Sequence, residues 1–326
     1  MTDRSDTSGK WTRYWRAGAL HSCGCAWRGN YEGTVARFWD ARFERLAGDA
    51  CIVDLGTGNG AIPLLASAAA QRLGRHWQIH GVDLADIDPA AADGAAREAG
   101  IHFHPRTSAT DLPFADRSID LVSGQYAFEY LPRAAAVAEL ARVLRDDGCA
   151  AFVLHARDSV LLATTDEQLG HCRTLFEETA LLDAVEDLAV RLAAAPTPQQ
   201  RSALATDPGA IAARERVNAA AAAISARIAT AGTPDMLQLA LGHAGEVLQN
   251  AHRAGVDSTR SAVRAVAADL RDEYQRLQDL ERAALDADDI AQLAAQLEAA
   301  GLARTEVGVL DHESGSRLGW TLVAQR

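Results

Sequence analysis

Two apolar patterns divide this chain. Between residues 49 and 159, short apolar runs alternate with amphipathic stretches, which predicts strands over 51–55, 78–83, 101–104, 119–123 and 150–155 and helices over about 62–73, 89–99 and 133–144. Strands that alternate with helices build a parallel sheet covered on both faces, and right-handed crossovers bring the carboxyl ends of its strands to one edge. From residue 160 to 288 the strand signal disappears. Helices are predicted over 166–194, 208–229, 234–251 and 258–285, with breaks at Pro196, Pro198, Pro208, Gly232, Pro234 and Gly255. In the last of these, Val263, Val266, Leu270, Leu277, Leu280 and Ala284 fall on one stripe of nearly heptad period. That stripe suits either an antiparallel helical subdomain within the chain or a homodimer formed through the inserted helices. Residues 289–326 return to the first pattern, with an amphipathic helix over 290–299 and strands over 302–310 and 318–324 joined by a polar loop. The fold class is thus α/β, a doubly wound, mostly parallel sheet interrupted by a large α-helical insertion, 160–288, that is expected to act as a cap.

Residues 1–48 follow neither pattern. Trp11, Tyr14, Trp15, Trp27, Tyr31, Phe38, Trp39 and Phe43 concentrate there, so this leader covers something apolar. Val35, Phe38, Trp39 and Phe43 recur at helical spacing and predict a helix packed beside the sheet. The preceding stretch, 10–31, contains glycine and reads as an irregular flap, so the leader as a whole is expected to be an aromatic helical lid.

The formal net charge of −12 works against binding of phosphate backbones and favours a small-molecule substrate over nucleic acid. The start of the chain is polar and no apolar stretch reaches the length that spans a bilayer, so no membrane partner and a cytoplasmic location are expected. Five cysteines, an odd number scattered over different predicted elements, do not make a disulfide framework. The run His21-Ser22-Cys23-Gly24-Cys25 offers three potential metal ligands but no fourth and no second pair, so no metal is expected.

The strongest chemical signal is Val53-Asp54-Leu55-Gly56-Thr57-Gly58-Asn59-Gly60. An apolar strand ending in an acid runs into alternate glycines and then a helix, which is a nucleotide-binding turn. Glycine lets the backbone turn sharply and approach a ligand closely, and the following helix points its free amides at the same spot. A dinucleotide fingerprint is G-x-G-x-x-G; here the spacing is G-x-G-x-G after an acid.

In that spacing the chain resembles the class I S-adenosylmethionine (SAM)-dependent methyltransferases, which have a Rossmann-like fold. Further matching motifs follow in order: Gly81-Val82-Asp83-Leu84, Ala109-Thr110-Asp111-Leu112-Pro113-Phe114, Ser118-Ile119-Asp120-Leu121-Val122 and Arg142-Val143-Leu144-Arg145-Asp146-Asp147-Gly148. The resemblance covers residues 49–159 and about the last thirty. It implies a seven-stranded sheet whose last strand is antiparallel, a SAM cofactor and methyl transfer. It also implies cofactor contacts at Asp54, Gly56, Thr57, Gly58, Gly60, Asp83, Leu84, Ser108, Ala109 and Gln125. Asp83, at a strand end, suits a ribose diol as a double acceptor; Gly56, Gly58 and Gly60 would clear space for the cofactor. Relatives commonly carry Asp where this chain has Ser108, which weakens the expected bond to the adenine amine.

The segment after the fourth strand faces sulfonium and substrate in this family and contains no Asn-Pro-Pro-Tyr motif, which argues against the amino-methylation chemistry that uses it. Tyr126 could meet the sulfonium methyl through its ring face. His155, ending the fifth strand, is the histidine best placed for a general base; Tyr126 and His155 are the candidate catalytic residues. Tyr14, Tyr31, Glu129 and Arg157 are the candidate substrate contacts. The expected function is SAM-dependent methyl transfer to a small molecule, such as one of specialised metabolism. Two rivals remain open: another reaction of SAM, such as cyclisation of its aminobutyryl chain to azetidine-2-carboxylate with release of methylthioadenosine, and a SAM-binding scaffold.

Overall fold

The computed structural model describes residues 4–22, 29–89 and 99–326, with side chains from residue 9 onward. Cys23, Cys25 and Trp27 lie outside the described residues, as does nearly all of the helix expected over 89–99. The described chain forms two compact units, one of residues Met1–Leu162 with Ala283–Arg326 and one of residues Ala163–Arg282.

The first unit is built on a seven-stranded sheet. Its strands are β1 (Cys51–Leu55), β2 (Gln78–Val82), β3 (His102–His104), β4 (Ile119–Gln125), β5 (Leu144–Leu154), β6 (Arg304–Asp311) and β7 (Arg317–Gln325), in the order β3-β2-β1-β4-β5-β7-β6. β1 to β5 pair parallel, whereas β7 lies antiparallel between β5 and β6. All seven strands and the antiparallel closing pair are therefore as the sequence implies. β5 starts earlier than expected. Its register shifts so that Leu144 still pairs with Ile119, and the turn-like Arg145-Asp146-Asp147-Gly148 is absorbed as a bulge where a side chain on Gly148 would meet backbone at 2.9 Å.

Alternation along the strands explains the layers, because successive side chains point to opposite faces. Val53, Leu55, Val122, Phe152 and Leu154 pack on one face against α4 (Arg133–Val143) and α11 (Ala287–Ala299). Ile52, Leu121, Ala151 and Val153 pack on the other against α2 (Gly33–Phe43) and α3 (Ala61–Leu73), where Phe38, Trp39 and Phe43 of the leader are buried. The leader also starts differently from the expected flap: α1 runs over Arg4–Arg16. Trp11, Tyr14 and Trp15, at helical i, i+3 and i+4 spacing, pack edge-on and stacked on one another, with ring centroids 4.9 to 5.7 Å apart, which rewards the helix.

The chain leaves this unit after Leu162 and returns at Ala283, and the two crossing points are tied together. The Leu285 amide donates to the His155 carbonyl and the Arg157 amide to the Leu285 carbonyl, both at 2.9 Å.

The second unit is wholly helical: α5 (Val160–Arg173), α6 (Leu181–Ala193), α7 (Pro198–Ala203), α8 (Pro208–Ile228), α9 (Asp235–Ala254) and α10 (Val256–Ala283). The compact part, Ala163–Arg282, is slightly shorter than the 160–288 expected. The single helix expected over 166–194 is in fact two. Hydroxyls of Thr174 and Thr179 donate to the Gly170 and Thr174 carbonyls, the backbone widens into a π turn at Thr174–Glu178, and Ala180 adopts a left-handed φ of 45°. The heptad stripe of α10 is used within this unit: Val263, Leu270 and Leu277 share a cluster with Val185, Ile224 and Leu237. Among the described residues no helix is long and apolar enough to cross a membrane.

The motif Ala109 to Phe114 is held by one staple. Arg142 on α4 donates to the Phe114 carbonyl at 2.7 Å and the Leu112 carbonyl at 3.1 Å, and to Glu139, whose Oε1 in turn accepts the Leu112 amide at 2.6 Å. The Arg142 bond holds the Glu139 carboxyl below its ordinary range. The helical unit, Ala163–Arg282, contains no tryptophan, so tryptophan fluorescence reports on the rest of the chain. Arg142→Met leaves Glu139 without its cation and is expected to lower the stability seen in a urea titration of tryptophan emission by about 3 kcal/mol. An unchanged midpoint would mean the staple is ornamental.

Candidate functional site

At the carboxyl edge of β1, β2 and β4 lies a cavity of about 460 Å³. β1 ends at Asp54 and Leu55, and the glycine turn folds back so that the Thr57 amide donates to the Val82 carbonyl at 3.1 Å and the Gly58 amide to Asp83 Oδ2 at 2.8 Å. Asp83 Oδ1 accepts the Ala85 amide, also at 2.8 Å. Both carboxylate oxygens are thus oriented by backbone from opposite sides while the side chain lines the cavity. Burial raises the Asp83 pKa to about 6 against these two hydrogen bonds.

Asp54 lies beside Gly81 and Ser123 in the strand register, and its Oδ1 accepts the Ser123 hydroxyl at 2.7 Å. Burial raises its pKa further, to about 7. Asp54, Gly56, Thr57, Asp83, Leu84, Ser108, Ala109 and Gln125, all expected at the cofactor, line the cavity. Leu84 is 47% exposed there. The loop carrying Ser108 and Ala109 is tethered by the Thr107 amide, which donates to the Asp83 carbonyl at 2.9 Å.

Gly58 and Gly60 make room for the protein itself. Neither lines the cavity; a side chain on Gly58, whose φ is 52°, would lie 2.6 Å from the Trp15 ring, and one on Gly60 would meet Phe103 at 2.7 Å. The turn is small so that the protein itself can close on it. Asn59 completes that closure by donating to the carbonyls of Trp15 at 2.8 Å and Ala19 at 2.7 Å. The leader is thereby fixed beside the glycine turn, and Trp11, Trp15, Leu20, His21 and Tyr31 form part of the cavity wall. Of these, Tyr31 was expected at the site from sequence, and His21 as a weaker rival to His155 for the general base. Helical aromatic spacing in the leader was the available signal, but which face met the sheet was not in it. Burial lowers the His21 pKa, and its ring stacks on Tyr31 at 4.1 Å.

After β4, Tyr126 adopts a left-handed φ of 55° while its amide donates to the Val153 carbonyl at 2.7 Å and its hydroxyl to the Leu318 carbonyl at 3.2 Å. Tyr126 lines the cavity, but His155 does not. The His155 ring lies stacked on Tyr126, centroids 4.2 Å apart, and its Nδ1 and backbone amide both meet Glu129 Oε1 at 2.8 Å. Glu129, expected at substrate, is buried and serves His155. With the carboxylate accepting, the geometry assigns the proton to Nδ1. Tyr14 and Arg157 also stand off the cavity: Tyr14 donates to the His21 carbonyl at 3.1 Å, and Arg157 to the Ala284 carbonyl at 2.8 Å.

Such a sheet, with an acid at the tip of β2 and a glycine turn after β1, has the architecture of the doubly wound α/β proteins. Residues 52–148 match the family described as Methyltransferase domain. Over 120 residues, 36% of this chain, it is 32% identical to an uncharacterized methyltransferase of Mycobacterium sp. (strain JLS), of which it spans 43%. Among solved structures, the YcgJ protein of Bacillus subtilis shares 26% identity over 42% of this chain and 58% of its own, with a TM-score of 0.33. A geranyl diphosphate C-methyltransferase of Streptomyces coelicolor A3(2) shares 18% over 48% of this chain and 65% of its own, with a TM-score of 0.37. The likeness is thus to the methyltransferase domain family, over residues 52–148 of the sheet unit. The chain spans less than half the length of that curated relative.

The cavity fits that family's cofactor by charge: two buried carboxyls, neither raised nor lowered by a basic neighbour, suit a ligand bearing an ammonium and a sulfonium. Their raised pKa values have a thermal consequence. Because the folded state holds protons that the unfolded carboxyls release near pH 4, the stability from neutral Asp54 is present at low pH and is lost as pH rises toward 7. Asp54→Asn is expected to raise Tm by about 3 °C or more at pH 8 and to leave it unchanged at pH 4; an equal effect at both pH values would contradict the charge argument.

Proposed function

We propose that this protein is a SAM-dependent methyltransferase acting on a small molecule. One observation carries the reading: the Asp83 carboxylate at the tip of β2, with both oxygens aligned by the Gly58 and Ala85 amides, lines the cavity as a ready acceptor for a ribose diol. Leu84, Ser108 and Ala109 beside it would flank the adenine, and Asp54 with Gly56 would receive the amino-acid end, the carboxylate facing the ammonium. When bound, SAM supplies a methyl group activated by its sulfonium.

Displacement at such a methyl needs little acid or base when the nucleophile is good, so the protein's contribution is placement and exclusion of water. Tyr126 supports placement. Its left-handed backbone is held by Val153 and its ring by the His155–Glu129 pair, so His155 acts through Tyr126 as a positioning residue rather than as a base in contact with substrate. The aromatic leader supports exclusion, since Trp11 and Trp15 close the side of the cavity next to the glycine turn. The net charge of −12 favours a small acceptor over nucleic acid.

Isothermal calorimetry with S-adenosylhomocysteine tests the reading. Wild-type protein is expected to bind it, and Asp83→Ala, which removes two charge-assisted bonds, to bind about 100-fold more weakly. Undiminished binding by that variant would sink the assignment. Incubation with SAM alone separates the chemistry: methylthioadenosine released without any acceptor would favour the cyclisation reading over methyl transfer.

A further inference from the structure

The strand order divides the cavity. Asp83, Leu84 and the loop 107–110 belong to β2 and β3 on one side of β1, whereas Gln125 and Tyr126 belong to β4 on the other. With the nucleoside on the first side, the β4 tip and the leader residues that line the cavity with it are left to the acceptor. Tyr31 and Tyr126 belong to one apolar cluster with Leu20 and Ile62. Both tyrosines line the cavity, Tyr31 with its ring stacked on His21 and Tyr126 with its ring stacked on His155, so the wall here is aromatic. Such a wall selects flat π systems by stacking.

Gln125 adds a polar demand. The indole Nε1–H of Trp39 on α2 can only donate, and it lies 2.8 Å from Gln125 Oε1, which fixes the amide orientation. The other amide atom, Nε2, is therefore a donor, and it is buried without a partner in a side chain that lines the cavity. A buried donor left unsatisfied costs about 1–3 kcal/mol, a penalty that an oxygen on the ligand removes. Charge narrows the class further. Among the described residues that line the cavity there are two acids, Asp54 and Asp83, and no Lys or Arg, so an anion entering it finds no counter-charge.

We propose that the methyl acceptor is a flat, non-anionic aromatic molecule carrying a hydrogen-bond-accepting oxygen, received by Nε2 of Gln125, which makes Gln125 a specificity-determining residue. The proposal rests on the methyltransferase reading above. It reassigns Gln125 from the cofactor, where sequence resemblance put it, to the acceptor.

The test uses the full chain saturated with S-adenosylhomocysteine and titrated with 2-acetylnaphthalene, with 2-naphthoate as its anionic counterpart and with 2-acetyldecalin as its saturated one. The naphthyl ketone is expected to bind at least about tenfold more tightly than either of the others. Gln125→Glu keeps an oxygen for the Trp39 indole but removes the donor, and Gln125→Leu removes both. Both variants are expected to lose at least about fivefold in ketone affinity, with S-adenosylhomocysteine affinity, measured separately, held within about threefold. Equal binding of the carboxylate or of the decalin ketone, or no binding of any of the three, overturns the acceptor class. Loss of S-adenosylhomocysteine affinity in Gln125→Glu with ketone binding intact returns Gln125 to the cofactor and overturns its assigned role. If wild-type protein takes up no S-adenosylhomocysteine at all, it is the methyltransferase reading that fails.

Discussion

A single carboxylate organises this site. Asp83 is held from two directions, by an amide of the glycine turn after β1 and by an amide two residues beyond itself, so the end of β2 and the turn after β1 are locked into one surface. The backbone extends that lock to the next strand, because the Asp83 carbonyl receives Thr107 and the Asp83 amide donates to the His104 carbonyl at 3.2 Å. Three loops from three adjacent strands therefore share one anchor. Burying the acid raises its pKa, an energetic strain that persists because the site gains a fixed acceptor where a ligand can use it.

The leader depends on the same turn. Gly58 is bare so that Trp15 can lie against it, and Asn59 binds the carbonyls that follow the tryptophan. Arg16 and Thr12 then reach Asp86, a few residues beyond the anchoring acid, through an ion pair and through the Asp86 amide. A feature commonly explained by the needs of a nucleotide thus also serves the protein's own closure. One short loop thus meets both Asp83 and the leader.

Much of the sheet was legible from sequence because its information is local. The run Cys51 to Leu55 is apolar, short and bounded by a glycine turn, and the strand has those limits; the two closing strands were marked by the polar loop between them. What escaped depended on distant contacts. Leu144 joins β5 only because Ile119 offers a partner, and the helix break near Ala180 follows from threonine hydroxyls turning back on carbonyls in a stretch whose composition is otherwise helical. That Asp54, Gly56, Thr57 and Asp83 meet at one half of the cavity followed from motif spacing. The other half did not: His155 sits at the predicted strand end, but its ring is spent on Tyr126 and Glu129, and His21 and Trp15 reach the cavity only through packing of the leader.

A crystal structure with S-adenosylhomocysteine bound tests the central claim most directly. The account predicts both ribose hydroxyls within hydrogen-bond distance of the two Asp83 oxygens, with the Gly58 and Ala85 amides still in place and the purine against Leu84 and Ala109. A nucleoside seated elsewhere, or a ribose that leaves Asp83 untouched, would contradict it.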